Sequence, residues 1–134
     1  MPADKALLII RIAAAAVFLY HGSAILFGAF GGPGLHVFAG YVGGNMTVAT
    51  LVGLAQFCGG LAMLTGVFAR IGAASIVIVM LGAIFMVHLS HGFDVSKGGM
   101  EFAFTQFCVA LAILIDGPGM YSLGNVLPAA MRKL

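Results

Sequence analysis

The sequence predicts an all-α fold, an antiparallel transmembrane four-helix bundle with a glycine-rich interfacial segment after its first span. Three observations carry this. Of 134 residues, 62% are hydrophobic and 7% are charged, and mean hydropathy is +1.15. A water-soluble domain carries about a quarter charged residues, so this chain has too few to coat a surface facing water. The apolar residues also fall in four runs, each near the ~20 residues that cross a bilayer. Glycine, proline and polar turn residues are concentrated between the runs. Lipid offers no partner for open backbone groups, so the runs must be helices. The alternating ~10-residue strands of a barrel are absent.

The first run covers residues 6–27, "ALLIIRIAAAAVFLYHGSAILF". Its basic start is weak and no small-x-small cleavage site follows, so it reads as a retained span rather than a leader. Arg11 falls near its inner interface, where a long side chain snorkels. The connection "GAFGGPGLHVFAGYVGGN" is long, glycine-rich and apolar. Leu35, Phe38 and Tyr41 or Val42 recur in it at helical spacing. That suggests a short amphipathic helix in the interface or a re-entrant cap; a plain connecting loop is the alternative. The second run spans 46–68 and the third 71–90, with only Ala69 and Arg70 between them. Such a short link makes a tight antiparallel hairpin. In "HGFDVSKGG", Gly92 is a helix stop followed by polar turn residues. The fourth run spans 99–115, where Asp116 opens a turn within reach of Arg11 or Arg70. The tail holds two turn signals and a short amphipathic end, and residues 1–134 read as a single domain.

Charge placement orients the chain. Lys5, Arg11, Arg70, Arg132 and Lys133 fall on one side of a four-span topology and Lys97 alone on the other. The positive-inside rule then puts both termini in the cytoplasm of a bacterium, with the protein multi-pass in the inner membrane. Small residues at helical spacing, such as Ala55 and Gly59, read as packing devices. Cys58 and Cys108 lie in apolar runs without CxxC spacing and read as packing cysteines. Net charge is +2, but no basic patch with interleaved aromatics exists, which excludes nucleic-acid binding. The expected partners are the lipid bilayer and other membrane subunits or a second copy.

Depth arithmetic at ~1.5 Å per residue brings several polar side chains to one level. His21 lies in the outer third of span one. His88 and His91 lie at the outer end of span three, Glu101 in the first turn of span four, and Gln56 near the middle of span two. Ionisable groups at membrane depth face the bundle interior and find partners there. The functional reading is an outward-opening polar pocket of His21, Gln56, His88 and Glu101, suited to a quinone head group, a proton relay or a metal. An interhelical hydrogen-bond cluster that fixes register is the alternative. His88 and His91 at i, i+3, with His21 and Glu101, would make a set that zinc, copper or iron accepts. His91 precedes the helix-stop glycine and faces headgroups or water, so no metal is assigned. His36, in the outer connection, reads as a surface residue. No hydrolase motif, P-loop, HExxH, haem or flavin motif is present. The glycines of "FGGPG" do not follow a strand and make no nucleotide site.

The stretches "LIIRIAAAAVFLYHGSAILFGAFGGPG", "GLAQFCGGLAMLTGVFAR", "IFMVHLSHGF" and "GGMEFAF...GPGMYSL" together resemble the DoxX/DoxD-like family of four-span membrane proteins, over about residues 7–124. The resemblance implies a four-helix membrane bundle. Some relatives are the quinone-linked subunit of thiosulfate oxidation; others are membrane oxidoreductase components or accessory partners of redox enzymes. It matches Arg11, His21-Gly22, His88 and Glu101 to the family pattern. Two positions depart: a family lysine is Ile25 here, and a second-span acid is Gln56. The implied function is electron transfer as a quinone-interacting subunit of a membrane oxidoreductase. His21 and Glu101 would exchange protons or bond a quinone carbonyl, Gln56 and His88 would complete the pocket, and a partner would supply electrons. The alternative is a non-catalytic accessory subunit that stabilises a larger membrane complex.

Overall fold

A computed structural model describes residues 1–134, and the fold is all-α. Helix α1 spans Pro2–Phe27, α2 Gly34–Tyr41, α3 Met46–Thr65, α4 Ala69–His91, α5 Glu101–Asp116 and α6 Ala129–Arg132. Three of them, α1, α3 and α4, are long and apolar enough to cross a membrane. The fourth apolar run becomes α5, which has 16 residues. At 1.5 Å per residue it is about 24 Å long, less than the ~30 Å hydrocarbon layer.

Local chemistry sets the ends. Pro2 opens α1, where a missing N–H costs nothing. Asn45 caps α3, its Oδ1 accepting from the Val48 N–H at 3.1 Å. Helix α3 stops at Thr65, three residues before the apolar run ends, because Gly66 takes the left-handed conformation at φ 78°. Phe68 follows at φ 51°, strained for a residue with a Cβ, and turns the chain into α4. The glycine-rich connection folds as a 3-10 turn, Ala29–Gly31, and then α2, which packs on α1 and α3 and buries Ala39.

Helix α4 changes character near its end. Residues Ile84–His88 form a π turn, with the Leu89 N–H donating to the Ile84 carbonyl. Turns of this kind carry one extra residue and shift the helix face. A last 3-10 turn, Leu89–His91, ends at Gly92 with φ 79°.

The helices pack as a ring in which α1 lies against α3, α3 against α4, and α4 against α5. Helices α1 and α5 touch only sparsely, so one seam is thin. The α1 face Arg11, Ala14, Phe18, Gly22 and Ile25 meets the α3 face Ala49, Gly53, Gln56, Gly60 and Met63. Both faces follow the period of a helix. The approach is closest at Gly22, where a Cβ would stand 2.5 Å from the Phe57 backbone nitrogen. Phe18, Met63, Ile76 and Ile113 fill the centre. Outside, large apolar side chains such as Ile9, Leu51, Ile78, Phe85 and Ile115 are exposed around the bundle. An apolar surface of that extent is matched by lipid, not by water.

Candidate functional site

The two ends of the bundle differ chemically. The basic end holds both chain termini, Gly66, Arg70 and the loop after α5. The far end holds the turn after α1, the start of α3, His88 and Glu101. All the polar residues singled out by depth lie toward the far end.

His21 sits on the flank of α1 and is exposed. Its ring meets Tyr20 edge-on at 5.3 Å and lies 6.2 Å from the ring of Phe102 on α5. Tyr20 in turn stacks on Phe30 of the 3-10 turn at 4.9 Å. Hydrogen bonds engage His88 and His91 but leave both ring nitrogens of His21 without a protein partner. His21 thus lies at the seam between α1 and α5, next in space to the residue that follows Glu101.

Glu101 and His88 are committed elsewhere. The Glu101 Oε2 accepts from the Val95 N–H at 3.1 Å. The His88 Nδ1–H donates to the Gly98 carbonyl at 2.7 Å, which fixes that tautomer and leaves Nε2 free. The two residues therefore clamp the 92–99 connection from its two sides. Asp94 caps its centre, accepting from the Ser96 N–H at 2.9 Å and the Ser96 hydroxyl at 2.7 Å. The Ser96 hydroxyl and N–H hold the Asp94 carboxyl below the ordinary 3.8. Because the folded value is the lower one, the ionised cap helps the fold above about pH 4 and is lost as pH falls further. The protection of the Ser96 amide, taken relative to its intrinsic exchange rate at each pH, should therefore fall on acidification through that range, and Asp94→Asn should flatten the pH dependence.

Gln56 is buried on the inner α3 face, 7% exposed, and its side chain makes no protein hydrogen bond. It lies at the level of Gly22, since Gly22 touches Phe57. The structure thus brings His21 beside the start of α5 and Gln56 to a similar level. It does not join His21, Gln56, His88 and Glu101 by hydrogen bonds or ion pairs. No group of three His, Cys, Asp or Glu side chains is placed to hold a metal.

Two polar features escaped the sequence reading. Gln106 carries the one buried side-chain oxygen without a partner, Oε1. It lies between the buried Ala103 and Ala110 on the inner face of α5, and nothing in its spacing set it apart in the sequence. The larger correction concerns Arg11. It does not snorkel; it is 1% exposed and donates four hydrogen bonds. Nε donates to the Met63 carbonyl at 2.7 Å and Nη2 to that of Leu64 at 3.0 Å. Nη1 donates to the carbonyls of Pro118 and Tyr121, both at 2.7 Å. One guanidinium thereby ties α1 to the C-terminal turn of α3 and to the loop after α5. The negative end of the α3 dipole supplies part of its countercharge. Gly66 leaves it room, because a Cβ there would come within 2.8 Å of Nη2. Arg70 likewise donates to the Leu114 and Ile115 carbonyls, at 2.7 and 2.9 Å, rather than to Asp116.

Searches of curated proteins and of solved structures found no match. A family model did: the DoxX model matches residues 6–89, which takes in α1 through most of α4, including Arg11, His21, Gln56 and His88. That match covers more than half of the chain and sits on its three candidate membrane helices, so this chain belongs to the DoxX family of membrane proteins.

Proposed function

We propose that this chain is a single four-span domain of a bacterial inner membrane, both termini cytoplasmic, that contributes to electron transfer by holding a quinone head group at the far end. The observation that carries this is the free imidazole of His21. It is exposed at the thin α1–α5 seam among the rings of Tyr20, Phe30 and Phe102, with no protein partner for either nitrogen. Aromatic edges and a free ring N–H suit a flat ring that bears acceptor oxygens. A lipid-soluble ligand approaches such a seam from the bilayer without crossing the core. The short α5 belongs to the bundle as its fourth span, with the 92–99 connection and the loop after Asp116 extending it toward each interface.

A bound quinone would supply two-electron, two-proton carrier chemistry. The residues of the chain orient it and handle protons. His21 donates a hydrogen bond and holds or releases a proton at its ring nitrogen. Glu101 and His88 act by positioning: they fix the 92–99 connection and hence the start of α5, which carries Phe102. Gln56 offers an unpaired amide behind Gly22. Electrons come from a partner subunit, which makes the chain one component of a quinone-linked membrane oxidoreductase.

A second reading has its own observation. Glu101 and His88 are spent on holding a connection, which is scaffold work, and favours an accessory subunit that stabilises a larger complex. One experiment separates the two. Decylubiquinone binding is measured with the protein in nanodiscs, empty nanodiscs subtracted, for the wild type and His21→Ala. Losing a hydrogen bond to a buried oxygen weakens binding about tenfold, with an unchanged melting temperature. Equal binding by both proteins overturns the quinone site. No binding by either, together with fixed-ratio co-purification in a large assembly, establishes the accessory role.

A further inference from the structure

The basic end contains a cavity of about 540 Å³ with no hydrophobic side chain in its lining. It lies where α4 begins and α5 ends, roofed by the C-terminal tail. The tail is docked there: the Ile71 N–H donates to the Leu134 carbonyl at 2.9 Å. Three cations, Arg70, Arg132 and Lys133, line it against a single carboxylate, Asp116. The molecule's one ion pair joins the N-terminal amine to Asp4 at 3.4 Å, so none of these cations has a carboxylate partner. Their donors are only partly used. Arg70 spends Nη1 on two carbonyls of α5, leaving Nε and Nη2 beside Gly117, where a side-chain carbon would sit 3.2 Å from Nη2. Arg132 spends Nε on the Leu127 carbonyl at 2.6 Å, leaving its two Nη groups. Unpaired guanidinium forks around a polar cavity are matched to the oxygens of phosphate.

We propose that this cavity binds a phosphate group presented by the head of an anionic glycerophospholipid. Its depth points to lipid as the source. The cavity adjoins the ends of two apolar helices, the level at which head groups lie, and basic pockets between helices there attract anionic head groups. The site is separate from the His21 seam, and its success or failure is independent of the quinone reading.

The test uses the full chain in detergent micelles and native mass spectrometry, with dihexanoyl phosphatidylglycerol, dihexanoyl phosphatidylcholine and inorganic phosphate as probes. Wild type should bind the glycerol lipid well above the choline lipid. Arg132→Gln with Lys133→Gln should weaken the glycerol lipid about 30-fold. Lys5→Gln removes a cation at the same end but outside the cavity, and should leave binding unchanged. Asp116→Asn removes the cavity's only anion and should tighten binding about fivefold; it decides the matter if the double variant does not fold. Equal binding by wild type and the double variant, or an equal loss in Lys5→Gln, overturns the cavity. If Asp116→Asn leaves binding unchanged, the cavity is likewise overturned. Displacement of the glycerol lipid by inorganic phosphate at equal concentration overturns the lipid as the source.

Discussion

Arg11→Met should lower the stability of the folded chain by at least about 3 kcal/mol, the largest loss expected of any single truncation here. The size follows from what the guanidinium serves. It satisfies the carbonyls of Met63, Leu64, Pro118 and Tyr121, drawn from two elements more than fifty residues apart in sequence. A buried acceptor left unpaired costs about 1–3 kcal/mol, and methionine leaves several at once. Arg11→Lys should fail to rescue. An ammonium has three donors on one atom, whereas the fork of arginine reaches both α3 and the loop from two sides. Ser122→Ala is a graded check: its hydroxyl donates to the Gly66 carbonyl at 3.1 Å and accepts from the Gly124 N–H at 2.9 Å, and its loss should cost about 1–2 kcal/mol. Unfolding in mixed micelles measures all three. If Arg11→Met and Arg11→Lys both unfold with the wild type, the guanidinium is not the staple of the basic end.

Arg11 also shows where sequence reading stops. The long apolar runs made the helices legible, and the residue period assigned their inner faces. Helix ends moved only by local backbone chemistry, as at Gly66. The snorkelling expectation failed because it assumes that water or head groups are the nearest partners. Here the tail folds back and brings Pro118 and Tyr121 to the side chain, and nothing local in "LIIRIAA" signals a carbonyl over a hundred residues away. The far end shows a different limit. Depth arithmetic put His21, His88 and Glu101 at one level, and the ring of His21 does approach Phe102. Depth says nothing of which way each side chain turns. The 92–99 connection offers Glu101 an N–H at 3.1 Å and His88 a carbonyl at 2.7 Å, and both side chains turn to it. Gln106 passed unread because a lone glutamine in an apolar run carries no spacing signal.

Positions 25 and 56, which the resemblance sets apart, yield the other large effect. Both are buried, at 5% and 7% exposed, on facing helices. A Cβ at Gly53 would lie 3.0 Å from Cγ2 of Ile25, and Gln56 is one turn along α3 from Gly53. A lysine at position 25 would therefore reach the turn of α3 that carries position 56. Ile25→Lys alone puts an ammonium into that apolar contact with no countercharge, which should cost about 4 kcal/mol. Gln56→Glu alone should cost less, because a carboxyl with no cation near it stays protonated. The double variant should regain about 3 kcal/mol relative to Ile25→Lys, since each charge then meets its partner in a low-dielectric contact. That coupling, measured as a double-mutant cycle in mixed micelles, would mean that an ion pair can hold α1 to α3 at the contact where this chain uses apolar packing and an uncharged amide. If Ile25→Lys is as stable as the double variant, positions 25 and 56 do not interact.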